Sequence, residues 1–323
     1  MKTGTKRKKE GGKMEAKNLK IAFIGAGRVA FSLGRYFAEN GLNLLGYYSR
    51  NNKNAEEAAR FTNSESFCSI KEIVEAGDVI FITTSDGAIK EVADEIFALG
   101  DKYDKKHEGI SIKNKIFCHC SGAMSGAVFT NLEEAGAFGY SIHPMFAFND
   151  KQTSFKELSK AYFTIEGNKE KLDVIKGMFD ILGNNYQLID AKNKTLYHAA
   201  AVMASNLVIA LYSMAADTLK KCGFAEEDAI KALMPLFINN ALNLEKTSPQ
   251  KALTGPIDRA DYKTIEKHLA ELDGDYKEVY IKLSNRLVEI AKNKRLEEGS
   301  LTNEASENYQ KIINLLNKEP TAQ

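Results

Sequence analysis

The sequence predicts an α/β protein: a doubly wound parallel sheet over residues 18–190, followed by an all-helical domain over residues 191–317. Two observations predict the sheet. Apolar runs such as Leu19–Ile24 and Asp78–Thr83 lack the alternation of a half-exposed strand, so both of their faces must be covered. Each run is followed by a stretch of helical spacing, so strand and helix alternate to about residue 190. A third observation predicts the second domain: beyond Asp190 only helical spacing remains.

Taken in order, Leu19–Ile24 is the first strand, and Phe31–Glu39 is a helix stopped by Asn40-Gly41. Leu42–Tyr48 is a strand, and Ala55–Phe61 and Ile70–Glu75 are helices. Asp78–Thr83 is a strand and Ala88–Leu99 a helix. Gly100–Lys115 is charged and reads as a surface insertion. Ile116–His119 and Gly139–His143 are strands, and Ala161–Glu166, Lys169–Leu182 and Tyr186–Ile189 form a last strand-helix-strand unit. The second domain reads as helices over Thr195–Lys220, Glu226–Leu244, Tyr262–Leu272, Tyr276–Leu296 and Asn303–Leu316. Residues 1–17 are basic and glycine-containing, with no apolar signal core. They are expected to form a disordered leader, with Met14 as an alternative start to Met1, and residues 318–323 form a tail.

Composition narrows the function. The chain has 323 residues, 44% of them hydrophobic, enough for two cores. Lys plus Arg is 44 and Asp plus Glu 43, so no basic footprint points to nucleic acid. No apolar run approaches the roughly 20 residues of a membrane span, and no membrane partner is expected. Cys118-x-Cys120 lacks a second ligand pair, so no metal is expected; four unpaired thiols suit a cytoplasmic protein.

The sharpest motif is Gly25-x-Gly27-x-x-Ala30, set between a strand and a helix in a Rossmann pattern. Gly25 makes the tight turn, Gly27 admits a pyrophosphate, and Ala30 lets helix and strand pack closely. Ala26, Arg28 and Val29 complete the phosphate-binding turn at the helix N-terminus. The second strand ends Tyr48-Ser49-Arg50-Asn51 with no carboxylate for a ribose 2′-hydroxyl. Ser49 and Asn51 can hydrogen-bond a 2′-phosphate and Arg50 can pair with it, so NADP(H) is expected in preference to NAD(H). Thr84, Ser85 and Asp86 lie at a strand's carboxyl end, to contact cofactor or to cap the next helix.

Two further loops bring chemistry to that edge. His119–Ser125 supplies Ser121 and the Gly122 backbone, which can bind a substrate carboxylate or carbonyl. His119 itself reads equally as a structural strand-end histidine. Ser141–Phe146 supplies His143, placed to move a proton. On the long helix, His198, Ser205 and Asn206 share a face, toward a cleft or toward another helix. Arg259 is a candidate clamp for an anionic substrate, or a local partner of Asp258 or Asp261.

GAGRVA at 25–30, TTSDGAI at 83–89, HCSGAMS at 119–125, SIHPMFAF at 141–148, YHAAAVMASN at 197–206 and LTGPIDRAD at 253–261 together carry a resemblance. They resemble Rossmann-like oxidoreductases whose helical C-terminal domain is a domain of unknown function, over nearly the whole chain from residue 18. That family usually has Arg-Gly-Asp where this chain has Ala260. More distantly, the pattern is similar to the 6-phosphogluconate, β-hydroxyacid, ketopantoate and pyrroline-carboxylate reductase superfamily. The resemblance implies an NADP-binding domain and a helical domain that forms a homodimer. The β-hydroxyacid enzymes carry a Lys one turn before an Asn; Asn206 matches the Asn, and Val202 stands at the Lys position. The His143-Pro144-Met145 segment is similar to that of prephenate dehydrogenases, which implies an acid-base role for His143, with His198 second. The expected function is hydride transfer between nicotinamide and a C=O/C–OH or C=N carbon of a small, anionic substrate, with Ser121 and Asn206 orienting it. The alternative is a non-catalytic NADP-binding sensor.

Overall fold

A computed structural model describes residues 11–106 and 109–318. The chain divides into two compact units, residues 1–206 and 207–323. Among the described residues the first holds eight strands: β1 (Ile21–Ile24), β2 (Leu44–Tyr48), β3 (Glu65–Phe67), β4 (Val79–Ile82), β5 (Ile116–His119), β6 (Phe138–Met145), β7 (Tyr162–Gly167) and β8 (Tyr186–Leu188). Its helices are α1 (residues 11–18), α2 (Arg28–Glu39), α3 (Asn52–Thr62), α4 (Ile70–Ala76), α5 (Asp86–Lys106), α6 (Thr130–Glu134), α7 (Leu172–Leu182) and α8 (Lys194–Met203).

The sheet order is β3-β2-β1-β4-β5-β6-β7-β8. β1 is flanked by β2 and β4, so the chain reverses direction there and opens a crevice at the strands' carboxyl ends. The side chains of β1 show the double winding. Ile21 and Phe23 enter the core that includes Phe31, Phe37 and Phe163, while Ala22 and Ile24 enter the opposite core with Ile73, Ile96 and Phe117. Every residue of β1, β4 and β5 is buried, as their unbroken apolar runs require.

The structure departs from the sequence expectation in five places. β7 pairs antiparallel to β6, so the far edge of the sheet is not parallel. The edge strand β3 is only three residues long and carries no apolar run to reveal it. Of the expected leader, residues 11–18 are helical: Ala16 is fully buried and Glu15 pairs with Lys171 at 2.9 Å. Residues 1–10 and 319–323 lie outside the described residues. The expected insertion at 100–115 is partly α5, and Ile110 and Ile112 anchor the rest in the core. Ala191–Lys221 makes a 31-residue helical stretch long and apolar enough to cross a membrane by length and composition, which no unbroken apolar run in the sequence announced. That stretch is interrupted at Ala204-Ser205, where Ser205 Oγ donates to Ala201 O (2.7 Å).

The second unit contains α9 (Asn206–Lys221, entered from the first unit), α10 (Glu226–Lys246), α11 (Pro249–Ala252), α12 (Tyr262–Glu271), α13 (Gly274–Glu297) and α14 (Asn303–Leu316). Its core joins Ile265 and Leu269 of α12, Val288 and Ala291 of α13, and Tyr309, Ile312 and Leu316 of α14. The 256–261 turn is bolted to this core. Asp258 pairs with Lys294 at 3.0 Å, and its carbonyl accepts from Arg295 (2.7 Å) and Tyr309 (2.9 Å). Ala260 in that turn has φ 55° and is buried, where the resembling family usually has Gly. Ala260→Val should therefore cost the helical unit about 2–4 kcal/mol, from a β-branched residue at positive φ in a packed site. Ala260→Gly should stay within about 1 kcal/mol, as strain relief offsets lost packing and added chain entropy. Urea melts of the two variants test this; equal stability of both would refute it.

Candidate functional site

The crevice beside β1 forms the first pocket. It is lined by Gly25, Ala26, Gly27, Ser49, Arg50, Asn54, Thr83, Thr84, Ser85, Glu91 and Glu95, among others. Gly25 has φ 110°, and a Cβ there would lie 2.9 Å from the Thr83 backbone, so only glycine makes this turn. A Cβ on Gly27 meets nothing within 4 Å, so the space above it is open. α2 starts with no side-chain cap and no acidic residue in its first turn, so its leading N–H groups are free for an anion. Thr84 Oγ1 is buried without a hydrogen-bond partner in the same lining. These features fit a dinucleotide: the start of α2 would receive a pyrophosphate, and Ser49 and Arg50 after β2, with Asn54 on α3, would meet a 2′-phosphate.

Not every expected cofactor residue takes part in this lining. Arg28 is exposed on α2, and Val29 packs against the core. Asn51 caps α3, accepting from Lys53 N (3.1 Å). Asp86 opens α5 and accepts from Ser121 Oγ (2.7 Å). Gly27→Ala should keep the melting temperature of the wild type but weaken NADPH binding about 10–100-fold, because the methyl enters open space the phosphates need. Calorimetry checks this; an unchanged Kd would contradict it.

A second pocket is lined by His143, Pro144, Met145, Phe146, Ala147, His198, Ala201, Val202, Ala204, Ser205 and Asn206. β6 delivers His143 and α8 delivers His198, with ring centroids 6.2 Å apart. Both rings abut Gly122 after β5. A Cβ there would lie 2.4 Å from His198 Nδ1 and 3.0 Å from His143 Nε2. His198 Nδ1 is buried without a partner, while His143 Nδ1 lies 2.6 Å from Tyr197 Oη. Burial first, then the nearby Lys194, lowers the His143 pKa to about 4.

Behind these rings lies a polar network that sequence reasoning missed. Lys194, 2% exposed, donates to Ser141 Oγ (2.7 Å) and Ser121 O (3.2 Å). Burial lowers its pKa to about 8, against the opposing pull of Glu166, Cys120 and Asp86. Buried lysines are rare, so nothing in its type signalled this role. Ser121 Oγ donates to Asp86 and accepts from Ala123 N and Met124 N, so it holds the loop in shape instead of facing a ligand. His119 is fully buried, between Ser125 O (3.1 Å) and Ser121 N (3.2 Å), which is the structural reading. Arg259 is exposed in the helical unit, and its neighbours are engaged elsewhere: Asp258 with Lys294, and Asp261 as the cap of α12.

The fold is that of a Rossmann-like α/β domain followed by a helical region. Residues 20–115 match the family model described as NADP oxidoreductase, coenzyme F420-dependent, and residues 161–287 match a domain of unknown function, DUF2520. The chain is similar to a solved Thermotoga maritima protein at 25% identity, covering 85% of this chain and 99% of that one, with TM-score 0.67. A candidate NADP oxidoreductase of Bacteroides fragilis is 23% identical over 85% of this chain and 99% of that one, with TM-score 0.60. Plasmodium falciparum pyrroline carboxylate reductase, solved with NADP bound, shares the fold at 14% identity over 93% and 98% of the two chains, with TM-score 0.51. No curated protein matches the chain in sequence.

Proposed function

We propose that the chain is an NADP(H)-dependent reductase or dehydrogenase acting on a small substrate with a C=O/C–OH or C=N group. The observation that carries this is the pair His143 and His198, converging on Gly122 at the carboxyl edge of the sheet that also carries the glycine-turn pocket. Bound NADPH supplies hydride. Gly25, Gly27 and the start of α2 hold the phosphates, and Arg50 with Ser49 and Asn54 selects the 2′-phosphate. Pro144, Phe146, Ala201 and Val202 exclude water from the second pocket, and Asn206 offers its amide to orient the substrate. Among the described residues the lining of that pocket carries no lysine or arginine, so the proposal does not require an anionic substrate.

NADPH oxidation against a panel of small aldehydes, ketones and imines tests the reading, with His143→Ala as the control expected to lose turnover. Val202 at the superfamily's lysine position favours the second reading, a non-catalytic sensor; tight NADPH binding with no turnover of any panel member would select it.

We also propose a homodimer through the helical unit. Ile209 and Leu236 are 72% and 64% exposed, and Leu211, Phe237 and Leu283 add to the apolar side chains that this unit leaves uncovered. Light scattering should give twice the chain mass.

A further inference from the structure

On the reading of the second pocket as the reaction site, we infer that it takes a neutral carbonyl and not an iminium ion, the carbonyl oxygen accepting from Nε2–H of a His143 whose tautomer Tyr197 fixes.

The tautomer follows from hydrogen-bond accounting. The Tyr197 hydroxyl lies 2.6 Å from His143 Nδ1 and has Thr164 as its other side-chain neighbour. A partly buried O–H left without an acceptor is costly, so the phenol donates there. Thr164, opposite His143 across β6 and β7, is buried at Oγ1 with no other partner, so its own proton goes to the Tyr197 oxygen and the phenolic proton is left for Nδ1. Burial raises the Tyr197 pKa, Thr164 opposing, which keeps the phenolic proton in place. A neutral imidazole that accepts at Nδ1 carries its own proton on Nε2. Nε2 has no hydrogen-bond partner among the described residues, and His143 lines the pocket.

The surrounding charges favour the same substrate. The groups acting on His143 are Lys194, Tyr197 and His198 from α8, Asp86 from α5 and His119 from β5. The Lys194 amine disfavours a second proton on the ring, and the Asp86 carboxylate opposes this more weakly and is hydrogen-bonded to Ser121. Among the described residues the pocket lining holds no carboxylate. An iminium cation would meet a neutral donor and a buried amine, with no counter-charge. A carbonyl oxygen meets a fixed donor whose hydrogen bond strengthens as negative charge develops. The balance is that of a reduction. Hydride from NADPH bonds to the carbonyl carbon, the C=O π pair moves to oxygen, and that oxygen takes a proton from solvent. The products are the alcohol and NADP⁺. Tyr197 acts through His143 and is a positioning residue.

The test compares kcat/KM for NADPH oxidation with size-matched ketones, aldehydes and cyclic imines, alongside nitrogen-15 NMR of histidine-labelled protein. His143→Gln assigns the His143 signals. The expected results are a preference of at least about tenfold for carbonyls and a His143 spectrum of the Nε2–H form that persists well below pH 6. Tyr197→Phe should shift His143 toward the Nδ1–H form and lower carbonyl kcat/KM about tenfold, with NADPH affinity unchanged. Preference for imines, or a wild-type His143 protonated at Nδ1, overturns the inference and leaves the oxidoreductase reading standing. Turnover of neither class by protein that binds NADPH overturns both.

Discussion

Gly122→Ala should lower turnover at least about 100-fold while leaving NADPH affinity at the wild-type value. The added methyl would sit 2.4 Å from His198 Nδ1, closer than a stable contact allows, and 3.0 Å from His143 Nε2, a tight contact. The two rings come from different elements, β6 and α8, and any movement of His198 away from the methyl changes its position relative to His143. A displacement of about 1 Å at a reacting group is enough for a loss of about 100-fold. Gly122 lies outside the lining of the cofactor pocket, which is why binding should survive. Steady-state kinetics with calorimetry on the same preparation reads both quantities. Turnover within a few fold of wild type would show that the two imidazoles do not act where the site places them.

Lys194→Ala should cost about 2–5 kcal/mol of stability, through the cavity it leaves and the loss of the donor to Ser141 Oγ and Ser121 O. Lys194→Met should cost much less. It fills the space, and it removes a buried amine that no carboxylate pairs with among the described residues. The pH dependence has a definite sign. The folded pKa of about 8 lies below the ordinary lysine value of 10.5, so between those values the unfolded chain binds more protons. Stability of the wild type relative to Lys194→Met should therefore rise from pH 8 toward pH 10. Denaturant melts at pH 7 and pH 9.5 check this; a wild type that loses ground to Lys194→Met at the higher pH would contradict the buried-amine account.

The sequence made most of the fold legible because its buried strands are unusually plain. β1, β4 and β5 are unbroken apolar runs, and the glycine spacing marks the one turn that must approach phosphates. What stayed hidden had weak local signals. β3 borrows its place from β2, and the antiparallel β7 depends on where the chain re-enters the sheet, which no residue type encodes. The helix break at Ala204-Ser205 falls in a stretch of helical spacing that carries no glycine or proline to announce it.

The site was legible residue by residue but not in its division of labour. Histidines 143 and 198 were picked out by type and position, and the structure brings them together. Ser121 and Asp86 looked like ligand contacts and instead bind each other, because short polar side chains at strand ends serve loop geometry as readily as chemistry. Tyr197 and Lys194 were passed over. A tyrosine and a lysine opening an amphipathic helix are ordinary surface residues until tertiary packing encloses them. Arg259 stood out in a distinctive segment whose work is done by its neighbours Asp258 and Asp261, in fastening the turn.

The most direct test of the central claim is calorimetric titration of the purified protein with NADPH and NADH, on wild type and on Arg50→Ala. The account predicts tight NADPH binding, weaker NADH binding, and an Arg50→Ala variant whose NADPH affinity falls to about the NADH value. Failure of the wild type to bind either nucleotide would contradict it, and the crevice beside β1 would then belong to another ligand.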